Sequence, residues 1–148
     1  MIIAVGSDHA GFNLKTEIVS WLQAMNYQVL DFGCDDAHTS VDYPLFGEKV
    51  ARAVINDEAT YGVLVCGTGI GMSITANKIP GIRAALCGET FSARASRAHN
   101  DANILVLGSR VTGSGLAREV LEVFLQSNFE AGRHEQRLNL IKKLETNY

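Results

Sequence analysis

Short apolar runs alternate with amphipathic stretches along the whole chain. Ile2 to Gly6, Gln28 to Phe32, Gly62 to Cys66, Arg83 to Cys87 and Asn103 to Gly108 read as strands. Most are continuous apolar runs, the pattern of strands covered on both faces. Between the first two, Leu14, Ile18, Trp21, Leu22 and Met25 recur at helical spacing, with Lys15, Glu17 and Gln23 among the intervening polar positions. Tyr43 to Asp57 repeats the pattern, with Pro44 in its first turn and Val50, Ala51, Val54 and Ile55 facing inward. A short helix is expected over Met72 to Lys78, ended by Pro80-Gly81, and further crossovers over Ser92 to Asn100 and Gly115 to Ser127. Strands alternating with helices predict a parallel α/β sheet.

A last helix, His134 to Glu145, has no strand after it. Leu138, Ile141 and Leu144 give it an apolar edge, to be covered either by the chain's own sheet edge or by a second subunit.

The length of 148 residues suits one domain, 1–148, with a real core. Apolar residues at 47% and charged ones at 20% are inconsistent with a disordered chain. A formal net charge of -3 carries no footprint of a nucleic-acid or anionic-membrane partner, so any anion site has to be built locally. The apolar runs fall well short of the roughly 20 residues that span a bilayer. Met1-Ile2-Ile3-Ala4-Val5 also lacks the basic start of a signal peptide, and a cytoplasmic protein is expected. Cys34, Cys66 and Cys87 match neither a disulfide framework nor a zinc pattern, which predicts free thiols.

Candidate chemistry changes this picture at one junction. The third strand ends in Cys66 and opens into Gly67-Thr68-Gly69-Ile70-Gly71, with a helix to follow. Such a loop lets backbone approach a ligand closely, and the helix start supplies unpaired N–H groups and the positive end of a dipole. A thiol there ionises more readily. The loop is not a nucleotide motif: Met72 stands where the dinucleotide fingerprint needs its third glycine, and no Gly-Lys-Ser/Thr follows. Glu89 mimics the ribose-binding acid, but nothing else suggests a dinucleotide. The histidines at 9, 38, 99 and 134 lack His-Glu-x-x-His spacing, so the chemistry is expected to run without metal or other cofactor.

Ligands of open parallel sheets bind outside the carboxyl ends of the strands. Gly6-Ser7-Asp8-His9-Ala10-Gly11 ends the first strand, the cysteine loop the third, and Gly108-Ser109-Arg110 the fifth. With His99-Asn100-Asp101 before the fifth strand, and with Arg133 and Arg137 one helical turn apart, these groups are expected to converge at one sheet edge. Plainer readings exist for each: Cys66 as a small buried hydrophobe, Asp8 as a cap for the helix near Phe12, His9 and His99 as structural residues, and the two arginines paired with Glu130. Taken together, a thiolate base beside N–H donors suits proton abstraction next to a carbonyl, with the donors holding the enediolate oxygen. Arg110, Arg133 and Arg137 suit a phosphate. The predicted class is a sugar-phosphate aldose–ketose isomerase.

Gly6-Ser7-Asp8-His9-Ala10-Gly11-Phe12, Asp42-Tyr43-Pro44, Cys66-Gly67-Thr68-Gly69-Ile70-Gly71, Ala76-Asn77-Lys78, Ser96-Arg97-Ala98-His99-Asn100-Asp101 and Gly132-Arg133-His134 together resemble the type B ribose-5-phosphate isomerases over almost the whole chain. The wider family includes allose-6-phosphate and galactose-6-phosphate isomerases. The resemblance implies a three-layer α/β/α sandwich, Rossmann-like, with a five-stranded parallel sheet of order 2-1-3-4-5 and a C-terminal helix. It further implies a homodimer or larger homo-oligomer with active sites between subunits. By the same resemblance Cys66 is the enediol base, His99 assists opening of the furanose ring, Thr68 helps to handle protons, and Gly67, Thr68, Gly69, Ile70 and Gly71 form the anion loop. Asp8, His9, Asn100, Arg110, Arg133 and Arg137 bind substrate, the arginines around its phosphate. The loop from Cys34 to Asp42 has no motif to anchor it, and a role in choosing sugar length stays open, as does the choice between pentose and hexose phosphate. A dinucleotide-binding module and a non-catalytic sugar-phosphate sensor are the rivals from other classes.

Overall fold

The computed structural model describes residues 1–146; the last two positions of the expected 1–148 domain lie outside the described residues. Eleven elements follow in order: β1 Ile2–Ser7, α1 Phe12–Ala24, β2 Gln28–Asp31, α2 Tyr43–Ile55, β3 Tyr61–Cys66, α3 Ile70–Ala76, β4 Ala84–Leu86, α4 Thr90–Ala98, β5 Ile104–Gly108, α5 Ser114–Gln126 and α6 Arg133–Thr146. All five strands run parallel. Alternate residues along the strands feed two cores. Ile3, Val5, Val63, Val65, Leu105 and Leu107 meet Leu14, Ile18 and Leu22 of α1 and Val120, Leu121 and Phe124 of α5. Ala4, Leu64, Cys66, Ile104 and Val106 meet Val50 and Val54 of α2 and Met72 of α3. That period of two explains why the strands read as unbroken apolar runs: both faces are covered.

The sheet order is β2-β1-β3-β5-β4, which corrects the expected 2-1-3-4-5. β5 pairs with β3 in register from Gly62↔Ile104 to Cys66↔Gly108 and leaves β4 at the edge. The reason lies in what each strand can bury. Every residue of β5 is buried, whereas β4 is three residues long and none of them is. The longer, fully apolar strand takes the interior position, and the short one serves as an edge.

Two charged side chains that the pattern puts at polar positions are buried. Lys15 is 5% exposed and pairs with Asp31 at 2.8 Å. Arg97 lies under the ring of Tyr61, donates to the Tyr61 hydroxyl at 2.8 Å and pairs with Asp101 at 2.7 Å. The α6 helix hardly touches the rest of the chain. Among its residues only His134 is buried, while Ile141 and Leu144 are 45% and 60% exposed. A cleft of about 800 Å³ separates Leu138, Ile141 and Leu144 from Ile82, Ala84 and Ala85 at the β4 edge. The chain's own sheet edge therefore does not close over this apolar face. No helix among the described residues is long and apolar enough to cross a membrane.

Candidate active site

β1 and β3 are neighbours at the centre of the sheet, and their carboxyl ends carry Ser7-Asp8-His9 and Cys66 respectively. Chain connections leave these two strands in opposite directions, which opens a crevice between them. Cys66 is 5% exposed, and its Sγ accepts the amide hydrogen of Gly69 at 3.1 Å. Gly69 caps α3 with φ +80°, a left-handed conformation that favours glycine; a Cβ there would also fall 2.4 Å from Leu86 Cδ1 and 3.1 Å from the carbonyl carbon of Leu107. Thr68 is exposed, and its Oγ1 accepts from Ile70 N at 3.3 Å. Two of the loop's N–H groups are thus aimed at the thiol and the threonine. Gly71 and Met72, in the first turn of α3, have amides that the helix itself leaves without partners.

The β5–α5 turn braces this loop. Ser109 N donates to Cys66 O and Arg110 N to Gly67 O, both at 2.9 Å. The guanidinium of Arg110 lies along Gly67, within 3.4 Å of where a Cβ would stand. On the other side the ring of Tyr43 covers Gly71 so closely that a Cβ there would be 2.6 Å from Cζ. Tyr43 was not among the expected site residues. Its position one residue before Pro44 marks a helix start, and only the packing of α2 against α3 brings its ring to the loop.

Asp8 is 7% exposed and its Oδ1 accepts from Gly11 N at 2.9 Å. The carboxylate therefore ties the β1–α1 turn together, while the N-cap of α1 is Gly11 with no side-chain cap bond; the capping reading of Asp8 is corrected on this point. His9 Nδ1 accepts from Val41 N at 3.2 Å, so a neutral His9 carries its hydrogen on Nε2. That contact joins the 34–42 loop to the site. Glu89, the mimic of a ribose-binding acid, is spent on local structure: its carboxylate accepts from the amides of Phe91 and Ser92 and caps α4.

The remaining expected residues do not join this group. His99 caps the C-terminus of α4, which runs back from the carboxyl edge of the sheet, and Asn103 pairs through its carbonyl with Gly62 N at the amino edge. Four strand steps separate Gly62 from Cys66, about 13 Å. His99, Asn100, Arg133 and Arg137 thus form a second group at the opposite end of the sheet, and the expected convergence at one edge does not occur within one chain. Arg97 and Arg83 grip Asp101 from two sides, at 2.7 and 2.9 Å, and Arg83 also donates to the Asn100 carbonyl. This fixes the turn that presents His99 and Asn100. The His99 ring stacks on His134, centroids 4.3 Å apart and planes 11° from parallel. Glu130 stands 4.0 Å from one ring and 3.9 Å from the other. Burial, and then the positive groups of His99, Arg133 and Arg137, hold the His134 pKa below its ordinary value, against the pull of Glu130. Arg133 and Arg137 have no carboxylate within ion-pair distance among the described residues, so their expected pairing with Glu130 gives way to a free cationic edge.

The glycine loop cradles its own thiol, and Glu89 is occupied in capping α4. What the arrangement can do is hold a buried thiol beside backbone donors, with cations at the far end.

Known proteins share this architecture and sequence. The profile of the Ribose/Galactose Isomerase family matches residues 3–141. The ribose-5-phosphate isomerase B of Escherichia coli (strain K12) is 47% identical over 143 residues, covering 97% of this chain and 95% of that protein. The solved structure of ribose-5-phosphate isomerase B of Clostridium thermocellum superposes with a TM-score of 0.98 at 51% identity, over 100% of this chain and 99% of the other. The ribose 5-phosphate isomerase of Thermotoga maritima gives 0.94 at 46% identity, over 96% and 97%.

Proposed function

The chain belongs to the ribose/galactose isomerase family, and we infer that it interconverts ribose 5-phosphate and ribulose 5-phosphate, an aldose–ketose isomerisation through a cis-enediolate. The observation that carries the reading is the Cys66 thiol held 3.1 Å from the Gly69 amide at the carboxyl end of a central strand. In the forward direction the Cys66 thiolate takes the proton from C2 of the open-chain aldose. Charge then develops on the C1 oxygen, next to the first-turn amides of α3. A proton moves between the C1 and C2 oxygens, with Thr68 beside them, and Cys66 returns its proton to C1. The Gly69 N–H is aimed at the sulfur that acts as the base. Asp8 and His9 bind the sugar hydroxyls, and Arg110 lies along the loop.

We further propose that the site is completed by a second copy of the chain. His99 for ring opening, Asn100 for a sugar hydroxyl, and Arg133 and Arg137 for the phosphate lie a strand's length away from Cys66 in their own chain. A two-fold pair of chains can set the carboxyl-end group of one against the amino-end group of the other and make two equivalent sites. The uncovered face of α6 and the cleft beside β4 favour such an assembly. The whole of 1–148 is taken as one isomerase domain, on the strength of two cores sharing one sheet. Three free, buried cysteines suit a reducing, cytoplasmic compartment, and the reaction suits the pentose phosphate pathway.

Purified protein incubated with ribose 5-phosphate tests the reading. Formation of ribulose 5-phosphate is expected; tight binding without turnover would make the protein a sensor, and binding of a nicotinamide dinucleotide instead would make it a different enzyme.

A further inference from the structure

His99, Glu130 and His134 come from three places in the chain: the C-cap of α4, the segment after α5 and the first turn of α6, with Glu130 and His134 four residues apart. Their donor atoms all lie within 4.8 Å of one another, with Glu130 Oε2 at 4.0 Å from His99 Nε2 and 3.9 Å from His134 Nε2. Two imidazole nitrogens and one carboxylate oxygen form a donor set suited to Zn²⁺ and its neighbours, whereas Mg²⁺ and Ca²⁺ prefer oxygen alone. A tetrahedral ion at about 2.1 Å from each donor needs them about 3.4 Å apart. The cluster is therefore slightly too open, and its near-parallel rings point their lone pairs side by side. Closing it requires one ring to turn. The His99 side chain is 44% exposed and Glu130 63%, so both have room to move, while His134 is held at 9%. Glu130 is also tied to the turn that carries His99, since its amide donates to Ala98 O at 3.0 Å.

We propose that His99, Glu130 and His134 bind one transition-metal ion of the Zn²⁺ type, and that the bound ion inhibits the enzyme by occupying the nitrogen of His99. The binding stands on the geometry; the inhibition rests on the isomerase reading above. With Nε2 of His99 metallated, that nitrogen has no lone pair or proton to exchange with the ring oxygen of a cyclic sugar, and three protein ligands leave a fourth position for water.

Isothermal titration of zinc chloride into the intact protein, and into Glu130→Gln and His134→Asn, tests the site, with isomerisation of ribose 5-phosphate followed at the same zinc concentrations. One ion per chain is expected. Each substitution should weaken binding about tenfold or more, because even loss of a residue outside the ligand shell costs about 10- to 100-fold. Glu130→Gln should isomerise at the normal rate in EDTA and need correspondingly more zinc for half inhibition. No binding, or unchanged affinity in Glu130→Gln as capture by Cys66 would give, overturns the site. Full activity at saturating zinc overturns the inhibitory role. Zinc binding weakened by both substitutions, in a protein inactive on ribose 5-phosphate even in EDTA, would uphold the ion site and remove the isomerase reading instead.

Discussion

The amide of Gly69 donates to Cys66 Sγ across 3.1 Å from a residue that adopts φ +80°. Gly69→Ala puts a Cβ within 3.1 Å of the Leu107 backbone and 2.4 Å of Leu86 Cδ1. Leu86 can move, but the strand cannot, so the loop must shift and carry the amide away from sulfur. The expected loss of stability is about 1–3 kcal/mol, with a fall in kcat. Urea unfolding and steady-state kinetics read both. A variant as stable and as fast as the parent would remove this hydrogen bond from the mechanism.

Cys66 and the two α6 arginines should fail in different ways. A general base acts in the transition state, so Cys66→Ala is expected to lower kcat by about 10²–10⁴ with substrate still bound. Arg133→Ala and Arg137→Ala remove contacts to a phosphate that does not react, and should chiefly raise KM. Kinetics on the three variants, with binding of ribose 5-phosphate to Cys66→Ala measured by calorimetry, separate these roles. Near-normal turnover in Cys66→Ala, or an unchanged KM in both arginine variants, would reassign them.

Most strand identities were legible because those strands are apolar runs bounded by glycine or polar residues, and helices because Leu14-Ile18-Leu22 and Val120-Leu121-Phe124 keep their spacing. The order of β4 and β5 was not. It depends on which strand can be buried on both sides, a comparison between Ala84-Ala85-Leu86 and Ile104-Leu105-Val106-Leu107 that no local pattern makes. The burial of Lys15 and Arg97 was likewise hidden, since it rests on Asp31 and on Tyr61 and Asp101, which only the fold supplies. The division of the site was open to topology alone. In a parallel sheet every crossover helix returns to the amino edge, so a histidine at the C-terminus of α4 has to lie at the far end from the strand-end cysteine. The His99–Glu130–His134 cluster had one weak signal, the Glu130-to-His134 spacing of four, obscured because α6 begins only at Arg133.

Glu89 makes the stability of α4 depend on pH. Hydrogen bonds from Ser92, through side chain and amide, and from the Phe91 amide lower its pKa from the ordinary 4.5. A lowered folded-state pKa means that the unfolded chain takes up the proton first. The contribution is therefore full above about pH 4.5 and lost as pH falls through the folded value. Glu89→Ala should lower Tm at pH 7, and the gap to the parent should narrow in acid. A gap independent of pH would show that the charge on the cap plays no part.

Cys66 and His99 occupy opposite ends of one sheet, which makes the composition of the site testable without a structure of the assembly. Cys66→Ala and His99→Asn are each expected to be nearly inactive alone on cyclic ribose 5-phosphate. If every site draws Cys66 from one chain and His99 from another, a mixed dimer holds one site with both substitutions and one with neither. After co-refolding at equal concentrations, half the dimers are mixed and half of their sites are intact, so about a quarter of the parent activity should return. Activity measured against the mixing ratio should be greatest at equal parts and vanish at either pure variant. Should both groups serve the same chain's site through a rearrangement, mixing would restore nothing at any ratio. The recovered fraction also distinguishes assembly from simple stabilisation: a variant rescued merely by association would regain activity with wild-type-like dependence on its own concentration, whereas complementation requires both variants together.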